Sequence, residues 1–91
     1  MTTGMTEQQE AQALIERWIE PNPHRRGVDE AWIVGYGVPV WALVGHLPAV
    51  DGDLDRLARS YALPREAVDA ALAYYSRNTA IIDNRLASNA A

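Results

Sequence analysis

The residues whose types and spacing could do chemistry are few. Asp51, Asp53 and Asp55 stand at alternate positions, the spacing that opens a calcium loop. Such a loop needs a glycine at its sixth position and a closing glutamate at its twelfth; both are missing, and Asp53 serves better as a helix cap. His46 sits in an apolar run and His24 in a loop, with no second histidine or cysteine at ligand spacing from either, so no metal site is expected. The "GYG" at residues 35–37 is too short and too isolated to cradle phosphate. Ser60, Ser76 and Ser88 have no histidine base near them in sequence and no nucleophile elbow. No catalytic residue and no cofactor is therefore expected; an enzyme would need a carboxylate or His46 in a pocket with a shifted pKa. The ordinary role for His46 is a satisfied imidazole in a core or interface.

Binding chemistry is better represented. The stretch "DLDRLARSYALPREAVDAALAYY", residues 53–75, reads as two short helices joined by a tight corner. A helix-turn-helix needs a small residue where the helices cross, an apolar residue closing the first helix, a permissive turn residue and apolar positions that pack the pair. Leu57 and Ala58, then Tyr61, Ala62 and Leu63, then Val68, Ala71 and Leu72 fill those places. Ala62 is the weak point, because the corner often requires positive φ and glycine takes it more readily. On a recognition helix the leading outward residues would be Arg65, Glu66 and Asp69, with Ala70 and Ala73 further along. Arg65 has the sign for phosphate or guanine, whereas Glu66 and Asp69 suit only a cytosine amino group. Arg56, Arg59 and Arg77 flank this surface, and Asp51, Asp53 and Asp55 offset them. The most basic spot is "HRRG" at residues 24–27, where Arg25 and Arg26 would reach a minor groove or an acidic partner. The commoner role of such a cluster is a solvated loop. DNA recognition and a purely structural corner both stay open at this point.

Composition weighs on the choice. The 91 residues carry a formal net charge of -4, and every basic side chain is an arginine. That balance argues against a general polyanion binder, since phosphate contacts supply most nonspecific affinity, although a local patch can still bind. With 48% hydrophobic residues the chain makes one compact domain, small enough that burial across a subunit interface is expected. The absence of cysteine excludes disulfides, a thiolate nucleophile and Cys-ligated zinc or iron–sulfur clusters, and fits a reducing compartment. The polar, acidic start "MTTGMTEQQEAQ" does not look like a secretory signal, and no apolar run approaches a membrane span, so a cytoplasmic protein with no membrane partner is expected.

The elements that must position these residues follow from local patterns. Thr6 is placed to cap a helix over Glu7–Trp18, with Leu14, Ile15, Trp18 and Ile19 at helical spacing and Pro21 and Pro23 stopping it. "AWIVGYG" predicts a strand too short to stand alone, which needs a partner from the preceding loop or another subunit. "VPVWALVGHL" predicts a helix with Pro39 in its first turn, apolar on almost every face. One face should lie in the core and another at a dimer contact, with Trp32, Val40, Trp41 and Val44 as the interface candidates. Asp53 should cap a helix over Leu54–Ser60, Pro64 should start one that runs to Arg77, and Asn78 and Thr79 offer a stop and a fresh cap. The tail is then a separate helix or a continuation. Ile81, Ile82 and Leu86 give it a narrow apolar edge suited to docking on one partner.

From Gly35 to Asp83, "YGVPVWALVGHL" followed by "GDLDRLARSYALPREAVDAALAYYSRNTAIID" resembles the small bacterial family named domain of unknown function 433. Val38, Pro39, Val40 and Trp41 carry much of the resemblance, and "ALAYY" at residues 71–75 carries the rest. It implies a helical domain of homeodomain-like or winged-helix type, often dimeric, whose members are thought to act as VapB-type antitoxins beside a toxin of PIN nuclease type. On that analogy Arg56, Arg59 and Arg65 would contact operator DNA, and Ile81, Ile82 and Leu86 the toxin. Ahead of the match the chain departs from the family pattern. Many members begin with a short strand and a "GKP-I-GTRI" run, whereas this chain has a helix and then "PNPHRRGVDEAWIVGYG".

The expectation is therefore a mainly α single domain over residues 1–91 with a short β element, made of four segments: an N-terminal helix (1–20), a loop with a short strand (21–37), a helical core containing the helix-turn-helix (38–78) and a C-terminal helix or tail (79–91). The expected function is a non-catalytic, antitoxin-like regulator that binds DNA or a toxin partner and forms a homodimer. The rival is a homodimeric protein-interaction or assembly module in which the corner is only architecture.

Overall fold

The computed structural model describes residue 4 and residues 6–90; residues 1–3, 5 and 91, which belong to the terminal segments considered above, lie outside the described residues. Helix α1 spans Glu7–Trp18. Its start is fixed by a capping box: Thr6 Oγ1 accepts from the Gln9 backbone N–H at 3.1 Å, and the Gln9 side chain accepts from the Thr6 N–H at 2.8 Å. The chain leaves the helix directly into β1 (Ile19–Glu20), which pairs antiparallel with β2 (Trp32–Ile33) in the register Ile19 with Ile33 and Glu20 with Trp32. The strand predicted within "AWIVGYG" thus finds its partner in the same chain, just ahead of the proline loop. A single 3-10 turn, Val28–Glu30, closes that loop.

After β2 the chain reverses through Val34–Tyr36, where Gly35 and Gly37 take φ of 80° and 67°. Trp32 then bridges Pro39, the N-cap of α2 (Val40–His46). Proline is suited to this place because it brings no N–H that would go unpaired. A second 3-10 turn (Leu47–Val50) and the left-handed pair Asp51 and Gly52 lead to α3 (Leu54–Ser60), capped by Asp53, whose carboxylate accepts from the Arg56 N–H at 3.0 Å. The corner follows. Ala62 has φ of 53°, the strained conformation that its position in the motif predicts, and α4 runs over Arg65–Arg77 behind Pro64.

Asn78 breaks the helical path with φ of -136°, and α5 (Thr79–Ala90) begins at once, so the tail is a separate helix. Thr79 lies inside α5 and its hydroxyl donates back to the Tyr75 carbonyl at 3.0 Å.

The fold is mainly α with one small sheet, as the sequence predicts. At its centre is α4, in contact with α1, α2, α3 and α5. Ala67, Ala70 and Ala71 are fully buried along it, and these short side chains let neighbouring backbones approach from several directions. Ile33, Val40, Leu43, Leu57, Val68 and Ile82 complete the closed core. Within one chain α2 buries Val40, Leu43 and Val44, while Trp41 and Ala42 stay half-buried. Val40 and Val44, expected at a dimer contact, are core residues instead, because α4 and α5 cover the faces that a second subunit was expected to cover.

Candidate interaction surfaces

The corner has the predicted packing: Leu57, Ala58, Leu63, Val68 and Ala71 are all buried between α3 and α4. Its outward chemistry is already occupied. Arg65 Nη1 donates to Asp55 at 2.7 Å and Arg65 Nε donates to Asp69 at 3.1 Å. The hydrogen bond to Asp55, then that to Asp69, raises the Arg65 pKa above its ordinary value, and both acids neutralise the charge that DNA would need. Glu66 accepts from the Trp18 indole N–H at 2.8 Å and pairs with Arg17 at 3.2 Å.

Helix α1 explains the rest. Trp18, at its C-terminal end, meets Glu66 at the start of α4, and Gln8 and Gln12 meet Arg77 at the end, so the two helices run antiparallel. Arg77 donates to the Gln8 carbonyl at 2.9 Å and to the Gln8 side chain at 3.0 Å, and also bonds the Gln12 side chain. Ala70, expected to face outward, is fully buried as a result. A major groove of about 12 Å accepts one helix, whereas two helices packed about 8–10 Å apart present a broader profile.

Among the described residues, the side chains of Arg26, Arg56 and Arg59 are in no ion pair, while Arg25 stands 3.7 Å from Glu30. Arg56 and Arg59 are exposed three positions apart on α3. Arg25 and Arg26 lie in the exposed loop, where His24 meets the edge of Trp32 at a centroid distance of 5.8 Å. His46, half-buried, meets the edge of Tyr61 at a centroid distance of 5.5 Å.

The tail residues divide. Ile81 is 45% exposed, Ile82 is fully buried, and Leu86 is half-buried against α2, where a Cβ on Gly45 would stand 3.0 Å from it. Ile82 and Leu86 of the narrow apolar edge pack into the chain's own core. Of the three residues proposed to contact a toxin, Ile81 keeps an open side chain.

Arg85 carries weight that the sequence does not reveal. It bonds the buried Glu30, pairs with Asp29 at 3.2 Å and stacks over Trp41 at 4.7 Å from the ring centroid. The interface candidate Trp41 is thus partly covered by α5. Trp32, the remaining interface candidate, donates its indole N–H to Glu20 at 2.8 Å. No local spacing signals the Arg85 cluster, because Arg85 lies 55 residues from Glu30 in the chain.

A cleft of about 400 Å³ opens between the end of α1, β1, the proline loop and α4. Its lining includes Ile15, Ile19, Glu20, Val28 and Tyr74. The Tyr74 hydroxyl donates to the Val28 carbonyl at 2.8 Å. Burial, reinforced by the negative charge of Asp29, raises the Tyr74 pKa. Tyr75 is also raised, first by its hydrogen bond to Asp83 at 2.7 Å. Among the described residues no three His, Asp or Glu side chains gather into a metal-holding group, and no helix is long and apolar enough to cross a membrane.

These features define a small helical domain built around a central helix, with a two-stranded sheet at one side. The model of the family described as a protein of unknown function (DUF433) matches residues 19–75, and the chain belongs to that family. No curated protein and no solved structure matches the chain. The matched residues reach back to β1 and include the proline loop, while α1 and α5 lie outside them.

Proposed function

We propose that the chain is a protein-interaction module whose helix-turn-helix serves as a frame. The observation that carries this reading is the state of α4: Arg65 and Glu66 are engaged by neighbouring side chains, and α1 lies over the face that holds Ala70. A recognition helix must bring free side chains to base edges, and these are not free. Open apolar side chains at Val28, Tyr36 and Ile81 offer contact area to another protein. A homodimer remains part of the proposal, with its contact away from Val40 and Val44.

The test is fluorescence anisotropy of the purified chain with duplex from its own upstream region and with scrambled duplex, over a salt series. Equal, weak signals from both duplexes are expected. Tighter binding to the native duplex that weakens with salt and with Arg65→Ala would overturn the reading.

One observation favours the antitoxin-like alternative. Arg56 and Arg59 carry unpaired charge on the first helix of the corner, which in helix-turn-helix proteins crosses the DNA backbone. In that case operator DNA would meet α3, and a PIN-type toxin would meet the surface around Ile81. Loss of salt-dependent DNA binding in the Arg56→Ala, Arg59→Ala double variant, with Arg65→Ala unaffected, would mark this alternative.

A further inference from the structure

We infer that α5 is an exchangeable helix: two copies of the chain pair by each laying its α5 in the groove that the other's own α5 would fill. This mode of pairing goes beyond the surface contact proposed above and does not depend on it, nor on whether the corner meets DNA. Val40 and Val44 stay core residues in it, because the helix that covers them has the same sequence.

The groove suits one helix. Ile82 is fully buried, Leu86 lies beside Gly45, where a Cβ would stand 3.0 Å from it, and Arg85 bonds the buried Glu30, pairs with Asp29 at 3.2 Å and stacks over Trp41. These three side chains stand at i, i+3 and i+4, one face of a helix. The contacts named for Arg85 and Leu86 go to the Val28–Glu30 turn and to α2, so they are kept when α5 comes from another copy. A helix without that arginine would leave the Glu30 carboxylate buried away from its closest cation, and this commits the groove to the α5 of a second copy.

The hinge is one residue long. Helix α4 ends at Arg77, α5 starts at Thr79, and Asn78 between them has φ of -136°. In an unbroken helix the Tyr74 and Tyr75 carbonyls would accept from the backbone N–H groups of Asn78 and Thr79. In the bent chain the side chains of the same two residues stand in: Asn78 Nδ2 donates to the Tyr74 carbonyl at 2.9 Å, and Thr79 Oγ1 donates to the Tyr75 carbonyl at 3.0 Å. Bent and straight forms therefore satisfy the same carbonyls, and turning Asn78 into the helical region converts one into the other. Straightening carries the end of α5 about 18 Å from the hinge, the rise of its 12 residues, and lifts Ile82 and Leu86 from their seat. A second copy restores the cover. What the exchange forfeits is local: the Tyr75 hydroxyl donates to Asp83 at 2.7 Å across the bend, and on a straight helix the two would stand about 12 Å apart. Short hinges invite such exchange, because the dimer repeats the contacts of the monomer.

The test is light scattering and NMR on the full chain refolded at rising concentration, with isotope-labelled and unlabelled copies mixed before refolding. The chain should pass from monomer to dimer. In the dimer, NOEs from the Leu86 methyls to Gly45 and from the Arg85 side chain to the Trp41 ring should join labelled to unlabelled copies. Asn78→Ala and Asn78→Gly both lose the side-chain bond to Tyr74 and differ in helix propensity. The alanine variant should therefore dimerise more tightly than the glycine variant, by about fivefold per hinge and about 25-fold per dimer. Tyr75→Phe, which removes a bond made only in the bent form, should also tighten the dimer. A chain that stays monomeric at millimolar concentration would overturn the exchange. So would a dimer whose Leu86 and Arg85 contacts stay within each copy, or one equally tight in both Asn78 variants; either result would leave the surface contact proposed above in place.

Discussion

At the scale of single residues, Arg85 shows how a side chain can be decisive without any local signature. Glu30 is 5% exposed, and its close partner is Arg85, with Arg25 further off at 3.7 Å. Arg85→Ala would leave a buried carboxylate without that partner, and breaking such a pair costs about 3 kcal/mol. Urea denaturation of the variant should show that loss through a lower midpoint. A Glu30→Gln, Arg85→Met double variant should recover most of it, because the desolvated charges are gone together. Ala62 is the opposite case, a residue legible from the motif because the corner needs a left-handed angle. Its φ of 53° carries the Cβ penalty that glycine avoids, so Ala62→Gly should stabilise the fold by about 0.5–1 kcal/mol, measured by the same denaturation.

At the scale of elements, caps and stops were readable because their chemistry is local. Thr6, Asp53 and Pro64 mark helix starts through atoms within a few residues of themselves. What covers each helix was not readable. The covering of Ala70 by α1 and the burial of Ile82 by the core join segments far apart in the chain, and neither leaves a spacing to detect. The cleft was hidden for the same reason, since Ile15 and Tyr74 meet only after folding. No residue of α1 is fully buried, and polar contacts pin both its ends. Glu66→Ala removes the acceptor for Trp18 and Arg17 together. Hydrogen exchange should then quicken in the last turn of α1 while the buried amides of α4 keep their protection, and equal acceleration in both helices would show that they open as one unit.

At the scale of the whole molecule, two tyrosines set the response to high pH. Tyr74 and Tyr75 have folded-state pKa values raised above the ordinary 10.0, by burial for Tyr74 and by the hydrogen bond to Asp83 for Tyr75. A raised value means that the unfolded chain releases the proton first. The stability they contribute is complete below the unfolded value and is lost as pH rises through the folded one. Unfolding midpoints should therefore fall above pH 10.0, and Tyr75→Phe should flatten part of that fall.

The sheet has a further effect at high protein concentration. Each strand is two residues long, β2 is flanked by β1 on one side and by the Pro39 bridge on the other, and Pro21 follows β1 directly. The free edge therefore ends at a residue with no N–H to donate. Strand-to-strand addition, the usual seed of ordered aggregates, finds no ladder to extend.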